Sequence, residues 1–207
     1  MSTAFTFFGQ AVSWIEALAF VSGLLSVWLI QRMNIWTWPV GLVNVACLGW
    51  LFADARLYAV ASLQLAFAVL GVWGWWQWTR ARSSQGEAPV TRTRPAEVLG
   101  VALLCVPLIA AVAWWLGRHT DNPAPLADTT ILVLSLAATA GQALRRLEAW
   151  WVWIAVDLVS VPLYWQRGLP LTALLYVCFL LLCVAGLRSW TRRWQAQQAA
   201  TGQQETS

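Results

Sequence analysis

The sequence predicts an all-α integral membrane protein with seven transmembrane helices, in which two parallel three-helix repeats are joined by a linker helix. The first observation behind this fold class is composition: 59% of the 207 residues are hydrophobic and 11% are charged. A soluble domain carries about 25% charged residues, so this composition excludes an ordinary soluble globular enzyme. The other two observations are seven long apolar runs and an internal sequence repeat.

The seven runs approach the length of about 20 mainly apolar residues that a membrane-spanning helix needs. They cover residues 11–30, 38–53, 57–78, 97–117, 127–144, 150–165 and 169–187. The second and sixth runs are short, and each carries a polar residue near its centre. Residues 79–95, rich in Arg, Ser and Pro, predict a flexible loop, and residues 195–207 predict a polar tail that frays.

The distribution of basic residues predicts the orientation of the chain in the membrane. All 13 basic residues are arginines, and basic residues concentrate in cytoplasmic loops. With the C terminus inside, only three arginines fall in outer segments, namely Arg56, Arg118 and Arg167. The other ten fall in cytoplasmic segments: Arg32, Arg80, Arg82, Arg92, Arg94, Arg145, Arg146, Arg188, Arg192 and Arg193. This split predicts an outer N terminus and a cytoplasmic C terminus.

Two parts of the chain contain similar residue patterns. Trp38 is followed six residues later by Asn44, and Trp151 is followed six residues later by Asp157. The next runs end in the same Gly-x-x-x-Trp pattern, at residues 74–78 and 186–190. These matches predict one transmembrane domain over residues 1–194, with repeat 1 at about 11–78, a linker helix at about 97–117 and repeat 2 at about 127–190. Parallel repeats of this kind occur in transporters that bind substrate between the repeats.

Asp157 lies near the middle of the sixth span, where a carboxylate is costly and usually faces a bundle interior or a water-filled path. Trp150, Trp153 and Asp157 are spaced i, i+3 and i+7, so they share one face of that helix. Two indoles and a carboxylate suit a flat or cationic ligand, because indole faces attract cations by about 2 kcal/mol when desolvated. The alternative is that both tryptophans belong to the interfacial aromatic belt and that Asp157 pairs with a neighbouring Arg or hydroxyl.

Polar residues on four other spans extend the candidate binding surface. A stripe on one face of the fifth span either lines a cavity or packs as a seam between helices, where small hydroxyl residues are common. Single amides in the second and third spans either bind the ligand or form an interhelical hydrogen bond. The residues are Asn44 and Gln64 in the second and third spans, Asp128, Ser135, Thr139 and Gln142 in the fifth, and Thr172 and Tyr176 in the seventh.

Most of the other tryptophans are predicted to anchor the helices in the aromatic belts at the membrane surfaces. They are Trp73, Trp75, Trp76, Trp78, Trp114, Trp115, Trp190 and Trp194.

The sequence carries no phosphate-binding P-loop, and its four cysteines lie in apolar runs without metal-ligand spacing. The only histidine, His119, lies in an outer loop. We therefore predict no cofactor, no metal site, no nucleic-acid partner and no enzymatic activity. An integral-membrane enzyme would need an interior His or an acid pair near a bound metal. A structural or sensor subunit is the non-transport alternative.

Four stretches resemble the PnuC family, the bacterial nicotinamide riboside transporters. They are residues 36–41, 57–78, 128–150 and 163–186, and the resemblance covers about residues 11–194. The most specific part is the run Arg-Arg-Leu-Glu-Ala-Trp-x-x-Trp, which begins at Arg145. The family's Trp-x-x-Trp-x-x-x-Asn substrate pattern falls on Trp150, Trp153 and position 157, where this chain has Asp instead of Asn.

This resemblance implies a fold like a full-length SWEET transporter, a bacterial inner (cytoplasmic) membrane location and a homotrimer. It also implies facilitated diffusion of nicotinamide riboside, which a separate cytoplasmic kinase traps by phosphorylation. Thiamine or another cationic aromatic vitamin is the alternative substrate, because an added carboxylate suits either cationic ring. We expect the ring to stack between Trp150 and Trp153, while Asp157 and amides such as Asn44, Gln64 or Gln142 hold its charge and hydroxyls. Thr139 and Tyr176 complete the predicted site.

Overall fold

The computed structural model describes residues 3–7, 10–56, 58–85, 89–168 and 170–205. In these residues a two-stranded antiparallel hairpin precedes seven α-helices. The strands are β1 (Thr3–Phe7) and β2 (Gln10–Ser13), and the helices are α1 (Trp14–Gln31), α2 (Thr37–Asp54), α3 (Tyr58–Gln85), α4 (Pro95–His119), α5 (Pro125–Ala143), α6 (Ala149–Gln166) and α7 (Pro170–Glu205). Within the described residues, four of the helices are long and apolar enough to cross a membrane by length and composition: α1, α4, α5 and the part of α7 from Thr172 to Thr201.

Each of the seven predicted spans contains a helix, but two helices run further than predicted. Helix α3 continues to Gln85 and α7 to Glu205, so part of the predicted loop and most of the predicted fraying tail are helical. Arg, Gln and Ala are good helix formers, and the 28 residues of α3 span about 42 Å, more than the membrane core of about 30 Å. The N-terminal hairpin is not predicted by the sequence, and Leu57 and Leu169 lie outside the described residues.

The chain divides into two compact units, Met1–Ala88 and Pro89–Ser207. In the first unit α2 packs against both α1 and α3. In the second unit α6 packs against both α5 and α7, and α4 packs against α5. Each unit therefore contains a set of three helices, α1–α3 or α5–α7, whose middle helix packs against the other two.

A tryptophan ring packed against a glycine joins α6 to α7. Trp150 is fully buried, at 0% exposure. A Cβ atom added at Gly186 of α7 would lie less than 3.0 Å from the six-membered ring of Trp150. Trp190, one helical turn further along α7, meets the same ring edge to face, with ring centroids 5.4 Å apart and planes at 88°. Only a residue without a side chain fits at Gly186.

The same arrangement joins α2 to α3 in the first unit. A Cβ atom added at Gly74 would also lie less than 3.0 Å from the Trp38 ring. Trp78 meets Trp38 edge to face, with centroids 5.7 Å apart and planes at 81°. All three residues are 112 positions before their counterparts in the second unit. The local packing of the two three-helix sets is therefore repeated.

The turns between the helices repeat with the same spacing. Met33 and Arg145, in the turns before α2 and α6, have φ angles of 58° and 56°. Arg56 and Gly168, in the turns after these helices, have φ angles of 58° and 71°. A left-handed residue of this kind commonly ends a helix. Both pairs are 112 positions apart.

This spacing corrects the register of the repeat. Trp38 corresponds to Trp150 and not to Trp151, because Trp38 and Trp150 hold equivalent places against a glycine. The predicted pairing of Asn44 with Asp157 is therefore wrong: with a spacing of 112, Asp157 corresponds to Val45. The carboxylate has no polar counterpart in the first three-helix set.

We predict that Gly186→Ala destabilises the protein by about 1–3 kcal/mol, the usual cost of overpacking a tight contact. The added methyl group collides with the Trp150 ring, and Gly74→Ala collides in the same way with Trp38. Thermal unfolding of the detergent-solubilised protein measures the effect. Gly100→Ala in α4 is the matched control, because nothing lies within 4 Å of its added Cβ.

The double variant Gly186→Ala/Trp150→Phe should regain part of the lost unfolding temperature, because the smaller ring leaves room for the methyl group. Equal unfolding temperatures for Gly186→Ala and Gly100→Ala would show that the ring contact does not hold the helices together.

Candidate functional site

The beginning of α6 is held by the segment that precedes α4. The Thr91 N–H donates to the Arg145 carbonyl at 3.1 Å, and the Leu147 N–H donates to the Thr91 carbonyl at 3.0 Å. The Glu148 carboxylate accepts hydrogen bonds from the Thr93 N–H and the Thr93 hydroxyl, both at 2.8 Å. We call residues 91–97 together with residues 144–148 the α4–α6 clasp. The clasp fixes the residue after which α6 starts.

Charge pairs complete the clasp. Arg146 donates to the Arg92 carbonyl at 2.9 Å and to the Glu97 carboxylate at 3.0 Å. Arg92 donates to Glu148 at 3.2 Å. Burial lowers the pKa of Arg145, whose Nε and Nη1 atoms are buried and meet no acceptor among the described residues. The run identified above as the most specific one therefore has a structural role, because it anchors α6.

The pKa of Glu148 lies below its ordinary value. Burial alone would raise this pKa, but hydrogen bonds from Thr93, the Glu148 backbone and Arg92 outweigh burial. A carboxyl group with a lowered pKa in the folded state contributes stability at neutral pH and loses it as the pH falls.

The candidate site lies on α6, beyond its anchored start. Trp153, Asp157 and Ser160 are spaced i, i+4 and i+7 and share one face of the helix. Asp157 is 1% exposed and Ser160 is 0% exposed. The Asp157 Oδ2, Ser160 Oγ and Trp153 Nε1 atoms are buried and have no hydrogen-bond partner among the residues that the structure describes.

Helix α7 faces this part of α6. The Cys183 thiol is a hydrogen-bonding neighbour of the Asp157 carboxyl group. The Tyr176 hydroxyl lies beside Ser160 and Tyr164, and the Tyr164 and Tyr176 rings stack with centroids 5.1 Å apart. Phe179 meets Tyr176 edge to face at 5.9 Å. The polar face of α6 is therefore closed on the α7 side by a thiol and an aromatic cluster.

The three unpartnered atoms on α6 define what the site can do. A buried polar atom without a partner costs about 1–3 kcal/mol, and such atoms in native proteins usually meet a ligand or an ordered water. Here one donor, the Trp153 N–H, lies one helical turn from an acceptor, the Asp157 carboxyl group. The arrangement suits a ligand with a flat ring and polar substituents, as the sequence predicts for this face.

The predicted residues of α5 belong to the same unit as Asp157. Gln142 is buried, and the Thr139 hydroxyl donates to the Ser135 carbonyl at 2.8 Å. Ser135 is also buried, so the predicted polar stripe faces the protein interior. Asp128, at the start of the stripe, accepts from Asn122 at 2.9 Å and forms an ion pair with Arg167 at 2.8 Å.

Asn44 and Gln64 lie in the first unit. The Asn44 side-chain amide donates to the Ala19 carbonyl of α1 at 2.6 Å, which is the interhelical hydrogen bond given above as the alternative to ligand binding. Gln64 of α3 packs near Gly49 of α2, where an added Cβ would lie 3.6 Å from the Gln64 Cβ. Their binding roles stay predictions.

Trp150 lies in the first turn of α6, and its fully buried ring packs against Gly186 and Trp190 of α7. Its expected contact with a ligand stays a prediction. The belt assignment is wrong for two other tryptophans: Trp78 and Trp190 are 5% and 0% exposed, because both pack edge to face on a buried indole. Trp151 is 61% exposed and lies on the face of α6 that points away from the protein interior.

Sequence reasoning missed three residues of the site: Ser160, Tyr164 and Cys183. Ser160 and Tyr164 follow Asp157 at i+3 and i+7, so helical spacing alone places them on its face. Cys183 could not be found in this way, because its contact with Asp157 depends on how α7 packs against α6.

The chain is similar to known membrane transporters in sequence and in fold. A family model described as "Nicotinamide mononucleotide transporter" matches residues 13–192. The riboflavin/roseoflavin transporter RibM of Streptomyces davaonensis is 29% identical over 195 residues, which cover 93% of this chain and 91% of that protein. The nicotinamide riboside transporter PnuC of Escherichia coli is 28% identical over 208 residues, covering 88% and 87%. The crystal structure of the vitamin B3 transporter PnuC matches with a TM-score of 0.71 and 25% identity, over 89% of this chain and 83% of that one.

These similarities confirm three predictions: the family resemblance, the helical membrane fold, and a transporter instead of an enzyme. They support transport of a small vitamin-type molecule by a multi-pass bacterial membrane protein.

We predict that Glu148→Gln destabilises the protein by about 1–3 kcal/mol at neutral pH, since it weakens hydrogen bonds to a charged group. The difference between parent and variant should shrink as the pH falls, because protonation removes the contribution of Glu148 in the parent. Thermal unfolding of the detergent-solubilised protein between about pH 4 and about pH 8 measures this difference.

Asp121→Asn is the charge-matched control for this experiment, because Asp121 is exposed. The role of the clasp would be refuted by a Glu148→Gln variant that unfolds at the same temperature as Asp121→Asn throughout this pH range.

Proposed function

Because the chain belongs to the nicotinamide mononucleotide transporter family, we propose that it carries nicotinamide riboside into the cell by facilitated diffusion. The observation that supports this substrate is the α6 face, where a half-buried indole, a buried carboxyl group and a buried hydroxyl have unused hydrogen-bonding atoms. Nicotinamide riboside brings a flat cationic ring, an amide and ribose hydroxyls, which match these groups in kind.

In this proposal Trp153 stacks on the ring, and Asp157 meets its positive charge. Ser160 and the Tyr176 hydroxyl offer hydrogen bonds to the polar substituents of the ligand. Trp150 mainly supports the orientation of Trp153 and does not contact the ligand extensively, since its own ring is covered by Gly186. The amides of Asn44, Gln64 and Gln142, together with the Thr139 hydroxyl, remain proposed contacts for the ribose.

The proposed transport cycle is alternating access. The two three-helix repeats rock to open the site to one side of the membrane and then to the other, as in parallel-repeat transporters. Net flux follows the concentration gradient, and a separate cytoplasmic kinase keeps the gradient inward by phosphorylating the substrate. We place the protein in the inner membrane as a homotrimer, with the N terminus outside. The arginine distribution supports this orientation.

A flavin is the second candidate substrate. The similarity to the riboflavin/roseoflavin transporter RibM spans 93% of this chain, and an isoalloxazine ring is also flat. It is neutral, however, and offers no charge for the Asp157 carboxylate. Thiamine, which is cationic, is the other alternative that fits a carboxylate.

We predict that the purified protein in liposomes equilibrates radiolabelled nicotinamide riboside without accumulating it beyond the outside concentration. Trp153→Ala should weaken apparent affinity about 10-fold or more, the equivalent of losing about 1.4 kcal/mol of ring stacking. Trp151→Ala is the matched control, because Trp151 is exposed on another face of the same helix.

Parallel assays with riboflavin and thiamine decide between the substrates. Uptake of riboflavin alone would replace the proposed substrate with a flavin, and uptake of thiamine alone would replace it with thiamine. Absence of all three activities in correctly folded protein would refute the transport proposal.

A further inference from the structure

Asp157 is a buried carboxyl group that forms no ion pair with any residue that the structure describes. It is 1% exposed and lies at the middle of α6. No Lys or Arg occurs in the sequence between positions 147 and 166 or between positions 168 and 187. The arginines nearest to Asp157 along α6 are therefore Arg146 and Arg167, outside the two ends of that helix, and the first arginine of α7 is the exposed Arg188.

Among the described residues, the titratable groups that face Asp157 from α6 and α7 are a thiol and phenols, which cannot supply a positive charge. Helix α7 contributes the Cys183 thiol and the Tyr176 phenol. Helix α5, which also packs against α6, carries no titratable residue from Thr129 to Ala143, and its Asp128 is paired with Arg167 near the helix start. On α6 itself, Tyr164 is the one other titratable side chain of this face.

A charged carboxylate at this buried position is unfavourable in free energy. Moving an ion from water into a protein interior carries a large desolvation cost, and only a close opposite charge offsets this cost. A neutral carboxylic acid avoids the cost, because it needs only hydrogen bonds. The Cys183 thiol supplies one polar neighbour, while Oδ2 stays unpartnered among the described residues.

We propose that Asp157 holds a proton in the empty transporter and releases it when a cationic aromatic ligand binds. The O–H bond of the acid breaks, the proton passes to water, and the carboxylate forms an ion pair with the ring. The site takes up one positive charge and releases one, so its net charge does not change. This inference rests on the proposed function, because it takes a cationic vitamin as the ligand.

The exchange has a consequence for selectivity. A cationic ring gains an ion pair in a site of low polarity, where such pairs are strong. A neutral ring of the same shape meets only a neutral acid and a hydrogen bond. The Asp at position 157 then favours the charged form of a ligand over its uncharged analogue. It also makes binding of the charged form weaker in acid.

Titration calorimetry on the detergent-solubilised protein tests the exchange. Nicotinamide riboside is the cationic probe, and its neutral reduced form, dihydronicotinamide riboside, is the matched ligand. Each is titrated at several values between about pH 5 and about pH 8, in buffers with different heats of ionisation. The buffer dependence of the heat counts the protons released per ligand bound.

We expect the parent protein to release about one proton per nicotinamide riboside at the acid end of the range, where affinity should rise about tenfold per pH unit. The neutral probe should release none. Asp157→Asn should bind nicotinamide riboside more weakly and without proton release, while Trp151→Phe should behave as the parent. Heats that do not depend on the buffer at any pH in the parent would overturn the proposal.

Infrared difference spectroscopy on the parent alone keeps the test independent of the folding of the Asp157→Asn variant. The C=O band of a protonated carboxyl group should disappear when nicotinamide riboside is added, and a band that persists would also overturn the proposal. Binding without proton release refutes only this exchange. Absence of any nicotinamide riboside binding refutes the proposed function, and the exchange with it.

Discussion

The packing of a tryptophan ring on a glycine is the contact on which the rest of the structure depends. It sets how closely α6 approaches α7, because the Trp150 ring occupies the space that a side chain at Gly186 would fill. It also sets the rotation of α6 about its axis. Once Trp150 faces α7, helical periodicity turns Asp157 toward the same neighbour, where Cys183 meets it. The candidate site is thus a result of core packing.

The sequence predicts the seven helices well, because apolar runs of membrane length are dictated by the bilayer. It predicts the register of the repeat less well. Trp150 and Trp151 are adjacent, and either can be matched with Trp38 by sequence alone. Only the fold shows which of the two indoles is buried against a glycine: Trp150 is 0% exposed and Trp151 is 61% exposed. The clasp could not be predicted from the sequence either, because the Thr91 N–H and the Arg145 carbonyl that it pairs are more than 50 positions apart.

Part of the candidate site could also be predicted from the sequence. Asp157 and Trp153 follow from helical spacing and from the cost of a charge in the membrane, and no tertiary information is needed. Indole is ambiguous, since it suits both a membrane surface and a tight core. The sequence could therefore not separate the exposed Trp76 from the buried Trp78. Cys183 depends on the packing of two helices, which local pattern does not encode.

The two three-helix sets repeat the packing of tryptophan on glycine, but they do not repeat the polar groups of the candidate site. With a spacing of 112 residues, Trp153 corresponds to Gly41 and Asp157 to Val45, whereas Gln64 corresponds to Tyr176. The first set thus keeps a polar residue at one of these positions and lacks the indole and the carboxyl group. A ligand with a single charged ring needs only one such group, because a second buried carboxylate would add a desolvation cost without a second cation to offset it. An indole and a carboxyl group in only one of the two three-helix sets are therefore sufficient for a ligand with one positive charge.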